Sequence, residues 1–122
     1  MAKVILIVDD DPKNRKLARD LLMVSGYTTI EATDGEQGVE LAKVRKPDLI
    51  LMDIMMPKMD GLEATRILKA DATTRNIPIL ALSSQAMKGD KDRILEAGCN
   101  GYLAKPIDIQ ELLKEVAQYL PR

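Results

Sequence analysis

Five side chains in this 122-residue sequence could act together: Asp9, Asp10, Asp53, Ser83 and Lys105. Each stands at the carboxyl end of a short apolar run. Asp9 and Asp10 follow Val4–Val8, Asp53 follows Leu49–Met52, Ser83 follows Ile79–Leu82, and Lys105 closes Gly101–Ala104 just before Pro106. Carboxylates packed closely repel and raise one another's pKa unless a cation is present. Oxygen-only donors favour a hard ion, of which Mg²⁺ with several retained waters is the natural choice. A hydroxyl and a fixed ammonium opposite that ion would cradle a phosphoryl group, whose transfer needs positioning and charge neutralisation more than covalent help. Taken singly, the residues have blander readings. Aspartates after strands are commonly turn formers or helix caps, Asp11 reads as one, Ser83 as a turn hydroxyl and Lys105 as a surface cation. The conjunction, and a charge at the end of the wholly apolar Leu49–Met52 run, favours a site.

For the five to meet, the apolar runs must be neighbouring strands. Val4–Val8, Leu49–Met52 and Ile79–Leu82 lack alternation, as strands buried on both faces do. Thr28–Ala32 is more polar and suits an edge; Gly101–Ala104 is the fifth candidate. Helices fill the gaps. Asp11 caps one with Pro12 at its first position, and Ser25-Gly26 ends it. Its inward face is expected to hold Leu17, Ala18, Leu21 and Leu22. Asp34 caps a second helix to about Arg45, and Asp60 a third carrying Leu62, Thr65 and Leu68. A helix near Lys88–Ala97, anchored by Met87, Ile94 and Leu95, is the weakest and is expected to be the most mobile. The last is the clearest, with Ile109, Leu112, Leu113, Val116, Ala117 and Leu120 on one stripe. Five βα units imply an α/β fold, a three-layer (βα)5 sandwich, for which the flavodoxin-like parallel strand order 2-1-3-4-5 is a common arrangement and the one expected here. Its switch-point crevice lies at the carboxyl ends of the first and third strands.

Composition sets limits. With 46% hydrophobic and 30% charged residues and a net charge of −1, the chain suits one globular domain. Its cations are scattered, so direct nucleic-acid binding has little support. Histidine is absent and cysteine is single (Cys99), which excludes Ser-His-Asp and Cys-His catalysis and argues against zinc. The lone cysteine suits a reducing compartment, and Val4–Val8 is too short for a signal or membrane segment. A cytoplasmic protein without membrane insertion is expected.

The motifs Val8-Asp9-Asp10, Leu51 to Pro57 with Asp60-Gly61, Ala81-Leu82-Ser83 and Gly101 to Pro106 run through the whole chain in order. On them the sequence resembles the response-regulator receiver domain of two-component signalling, of the free-standing chemotaxis or cell-division type. The resemblance implies that Asp53 is the phosphoacceptor. It implies that Asp10, Asp53 and the main-chain carbonyl of Met55 bind Mg²⁺ (or Mn²⁺), with Asp9 assisting through water. Lys105 would pair with phosphoryl oxygens, Ser83 would contact the phosphoryl group, and Tyr102 would relay the change to the surface. Met55 and Gln85 would flank the hydrolytic water, and Lys105–Pro106 would be a cis peptide. A histidine kinase or histidine phosphotransfer protein would be the donor, and a downstream protein would bind the face of the fourth helix, fifth strand and fifth helix. Residues 1–122 would form a single receiver domain without an output module, monomeric or weakly dimeric on phosphorylation. It would be a switch rather than an enzyme, beyond self-catalysed phosphorylation from small donors and autodephosphorylation.

Other readings fit less well. A haloacid-dehalogenase-like phosphatase would need an acid two residues after its nucleophile, where Met55 stands. A flavodoxin would need flanking aromatics, and the chain has three tyrosines as its whole aromatic content. No GxxxxGK[ST] is present for a P-loop. The nearest alternative is a degenerate receiver that binds partners without phosphorylation; the complete set of Asp10, Asp53, Ser83 and Lys105 argues against it.

Overall fold

The computed structural model describes residues 2–56, 59–83 and 88–120. Strands and helices alternate along it: β1 (Val4–Val8), α1 (Pro12–Val24), β2 (Thr28–Ala32), α2 (Gly35–Arg45), β3 (Leu49–Asp53), α3 (Gly61–Ala70), β4 (Ile79–Ser83), α4 (Lys88–Ala97), β5 (Gly101–Ala104) and α5 (Ile109–Tyr119). The strands form one parallel sheet in the order β2-β1-β3-β4-β5. This is the expected (βα)5 arrangement, with polar β2 at one edge. β3 and β4 each run one residue beyond their apolar stretches, because Asp53 and Ser83 still pair with their neighbours.

The period of two along each strand divides the core. Ile5, Ile7, Leu49, Leu51, Leu80 and Leu82 point to one face and pack on α1 and α5 through Ala18, Leu22, Leu112, Val116 and Leu120. Leu6, Val8, Ile50, Met52, Ile79 and Ala81 point to the other, under α2, α3 and α4. Each fully buried Leu or Ile contributes about 1.5–3 kcal/mol of transfer free energy, so β1, β3 and β4 form a stiff floor. A stiff floor suits a site that hangs from their ends.

The helices start at aspartate caps. Asp11, Asp34, Asp60 and Asp108 accept from the main-chain N–H of Lys13, Gln37, Glu63 and Glu111 respectively. α1 ends at Ser25, and Gly26 takes φ 96°, a left-handed turn that suits glycine.

Several expected inward positions face water instead. Leu17 on α1, Leu95 on α4 and Ile109 on α5 are exposed, as is Ala117. The helical stripe of α5 is narrower than its apolar residues suggest, because one sheet face accepts only Leu112, Val116 and Leu120, with Leu113 partly covered. α4 is anchored by Ile94 and Ala97; Met87 lies outside the described residues. No helix among the described residues is long and apolar enough to cross a membrane.

Candidate functional site

Adjacency of β1 and β3 brings the acids together. Val8 pairs with Met52, so the residues that follow, Asp9 and Asp53, emerge side by side. Carboxylate oxygens of Asp9, Asp10 and Asp53 lie within 4.8 Å of one another. Asp9 and Asp53 are 1% and 2% exposed, while Asp10 faces solvent. None of the three caps a helix.

The two buried carboxylates are held alike. Asp9 Oδ1 accepts from the N–H of Asp11 at 2.9 Å, and Asp53 Oδ1 accepts from the N–H of Met55 at 3.0 Å. Each oxygen is thereby fixed by its own loop, two residues on. Their Oδ2 atoms turn to Lys105, whose Nζ lies 3.0 Å from Asp53 and 3.3 Å from Asp9. The lysine is delivered by β5. Ser83 pairs with Ala104, and the N–H of Lys105 donates to the Ser83 carbonyl at 2.8 Å. The Lys105–Pro106 peptide is cis, as the resemblance implied.

Charge balance in this cluster is incomplete. Burial pushes the Asp53 carboxyl up and the Asp9 charge adds to it, against the N–H of Met55 and Lys105, and the outcome is about 6. Burial also works against the charge on Lys105, but the hydrogen bond to Asp53 and both carboxylates outweigh it, and its pKa rises. Asp9 Oδ2 is buried, and its ion pair with Lys105 is too poorly aligned to be a hydrogen bond. A buried carboxylate oxygen without a hydrogen bond is costly. Three acids facing one lysine, with one such oxygen among them, fit a hard divalent cation.

A cleft of about 550 Å³ opens beside Asp53, lined by Met55, Met56, Leu62, Ser83 and Arg93 among others. Ser83 is buried at its inner wall and Met55 is 63% exposed. The structure thus brings together Asp9, Asp10, Asp53, Ser83, Lys105 and Met55. Tyr102 stands apart, opposite Ala81 on β5 and partly buried against the core beneath α4, with Lys91 Nζ 6.0 Å from its ring centre. Gln85 lies outside the described residues.

Two contributions escaped the sequence reading. Gly61, at the start of α3, lies so close to the Asp53 carbonyl that a Cβ there would overlap it; the Asp60-Gly61 pair reads in the sequence as a cap and as part of the receiver motif, with no packing role for the glycine. Arg15 donates from Nη1 to the Asp9 carbonyl at 2.8 Å. Its one signal was a place one turn beyond the Asp11 cap.

A parallel (βα)5 sandwich with acids and a lysine at the strand ends defines the class, and residues 5–117 match the response regulator receiver domain. The chain belongs to that family, whose members are phosphoacceptor switches in two-component signalling. Over 120 residues it is 45% identical to the polar-differentiation response regulator DivK of Brucella anthropi, covering 98% of each protein. It also superposes on the receiver domain of a sensor histidine kinase from Pseudomonas aeruginosa PAO1, described with a magnesium ion coordinated in its active site cleft. There the TM-score is 0.92 and the identity 37%, over 100% of both chains. The chemotaxis protein CheY4 of Vibrio cholerae matches with TM-score 0.92 and 28% identity, over 98% of this chain and 99% of that one. The likeness to regulators of the chemotaxis and cell-division type rests on these matches.

Proposed function

We propose that Asp53 is the phosphoacceptor of this receiver, taking its phosphoryl group from a phosphohistidine on a histidine kinase or phosphotransfer protein. The observation that carries the reading is the placement of Asp53 between the acidic cluster and Lys105, with Lys105 Nζ 3.0 Å from its carboxylate. Asp10, Asp53 and the Met55 carbonyl would hold Mg²⁺, or Mn²⁺ in its place, with Asp9 assisting. When bound, the cation supplies neutralisation of the acids and of the incoming phosphoryl oxygens.

The protein's own residues do the rest. The ionised Asp53 carboxylate attacks phosphorus, an O–P bond forms, and the P–N bond to the donor histidine breaks with its electron pair leaving on nitrogen. Lys105 exchanges a carboxylate partner for phosphoryl oxygens without leaving the crevice. Ser83, at the wall of the cleft, donates its hydroxyl to the new group. The added charge draws Ser83 and Lys105 inward, and Tyr102 on β5, the strand that ends just before Lys105, follows. α4, β5 and α5 then present an altered face to a downstream protein. Met55, exposed beside Asp53, flanks the approach of the hydrolytic water. The chain acts as a cytoplasmic switch rather than as an enzyme on a separate substrate, beyond reaction with small phosphodonors and its own dephosphorylation. It acts as a monomer or a weak phosphorylation-dependent dimer.

Incubation with acetyl phosphate and Mg²⁺ tests this. One acid-labile phosphoryl group is expected on the unaltered protein and none on Asp53→Asn, as read by intact mass. Equal labelling of the two proteins would refute the assignment.

A further inference from the structure

The loop that carries Asp9 and Asp10 is tied down from outside the acidic cluster. Arg15 sits one turn into α1 and sends its guanidinium back toward the sheet edge. Nη1 donates to the Asp9 carbonyl at 2.8 Å, and Nε donates to Glu31 Oε1 at 3.3 Å. Glu31 belongs to β2 and lies opposite Ile7 in the ladder. Its second oxygen takes Nη1 of Arg19 at 3.3 Å, so the carboxylate is gripped on both sides. The Arg15 side chain is only 17% exposed. The other polar group of Asp9's main chain is also bound to β2, because its N–H donates to the Ala32 carbonyl at 3.1 Å.

This double tether bears on the next residue. The Asp9 carbonyl and the Asp10 nitrogen share one planar peptide unit. Holding that oxygen therefore sets the plane from which the Asp10 side chain departs. Asp10 is the one exposed carboxylate of the cluster, with no burial of its own to direct it. Buried Asp9 and Asp53 are aimed by their loops and by Lys105; Asp10 depends on the peptide behind it.

We infer that Arg15, braced by Glu31, is a positioning residue that presets the Asp10 carboxylate for cation binding. The inference rests on the cation reading of the acidic cluster. It makes a prediction opposite in sign to simple electrostatics. A guanidinium near a cation site repels the cation, so a role in charge alone means that removing Arg15 tightens binding. A role in holding the peptide plane means that removing it loosens binding. Lysine keeps the charge but cannot serve two acceptors with a planar fork, so Arg15→Lys should fail in the same direction as Arg15→Ala.

Calorimetric titration of Mg²⁺ into the unaltered protein, Arg15→Ala, Arg15→Lys and Lys16→Ala decides between them. Lys16 lies on the same helix, is exposed and pairs only with Asp20 among the described residues, so its removal controls for net charge. Loss of partners that orient ligands weakens metal binding by about 10–100-fold, and the lower end is expected for both Arg15 variants. Lys16→Ala should bind as the unaltered protein does or slightly tighter. In the metal-free state, amide exchange at Asp10 and Asp11 should quicken in the Arg15 variants and not in Lys16→Ala. Should Arg15→Ala fold poorly, Arg15→Lys carries the test, since it keeps the charge and most of the stem. Unchanged or tighter binding by folded Arg15→Lys would overturn the inference. Absence of Mg²⁺ binding by the unaltered protein would instead overturn the cation reading, and this inference with it.

Discussion

In the metal-free protein the Asp53 carboxyl titrates at about 6 rather than 3.8, chiefly because burial disfavours its charge. A folded-state pKa above the unfolded value means that this group's favourable contribution is fully present below about 3.8. It is lost as pH rises through 6. At pH 7 the ionised carboxylate therefore weighs against folding by about 3 kcal/mol at most, from a difference of roughly two pH units at 1.36 kcal/mol each. Asp53→Asn removes that charge while keeping nearly the same shape. The value of about 6 already contains the pull of Lys105, and the amide is an imperfect mimic of the protonated acid, so a net stabilisation of about 1–3 kcal/mol is expected at pH 7. Urea unfolding followed by far-ultraviolet circular dichroism, with chelator present, provides the measurement. A slope of about 1–3 kcal/mol per molar urea makes the midpoint rise by roughly 1 M. Well below pH 3.8 the aspartate is uncharged in both the folded and the unfolded state, and the gap should close. Saturating Mg²⁺ at pH 7 should narrow it too, because the unaltered protein binds the cation with one more carboxylate and is stabilised more. An Asn variant equal to or less stable than the unaltered protein at pH 7, or a gap that does not depend on pH, would refute the reasoning.

Two further outcomes follow from the site. Gly61→Ala should destabilise the protein by about 1–3 kcal/mol, since its Cβ would overlap the Asp53 carbonyl and Ile54 backbone; thermal unfolding reads this, and acetyl phosphate labelling should slow as Asp53 is displaced. Met55→Asn should shorten the life of the phosphorylated form severalfold, because an exposed apolar side chain beside Asp53 is exchanged for an amide able to orient water. Decay of the phosphorylated protein after donor removal, at saturating Mg²⁺, measures it, and an unchanged or longer lifetime would place control of water elsewhere.

Much of the architecture was legible in the chain because it rests on local rules. The caps Asp11, Asp34 and Asp60, the apolar runs of β1, β3 and β4, and the polarity of β2 each follow from neighbours in sequence. The acids, the hydroxyl and the lysine could be named for the same reason: each terminates a strand, and a parallel sheet gathers strand ends on one side. Helix faces were less legible. Periodicity marks every apolar position on a stripe, but Leu17, Leu95 and Ile109 are left exposed, and only packing decides which positions of a stripe are covered. Taken singly, Asp9, Asp10 and Asp53 could each have been a cap or turn former, since an aspartate after a strand can do either. Tertiary contacts decided it. Asp9 and Asp53 turn one oxygen to their own loop and the other to a lysine that arrives from β5, far along the chain. The pKa of Asp53, the close approach of Gly61 and the bracing of Asp9 by Arg15 and Glu31 depend on distances between elements remote in sequence. Sequence spacing determines which residues a strand or helix offers at its end; burial and charge acting across the assembled sheet determine what those residues can do.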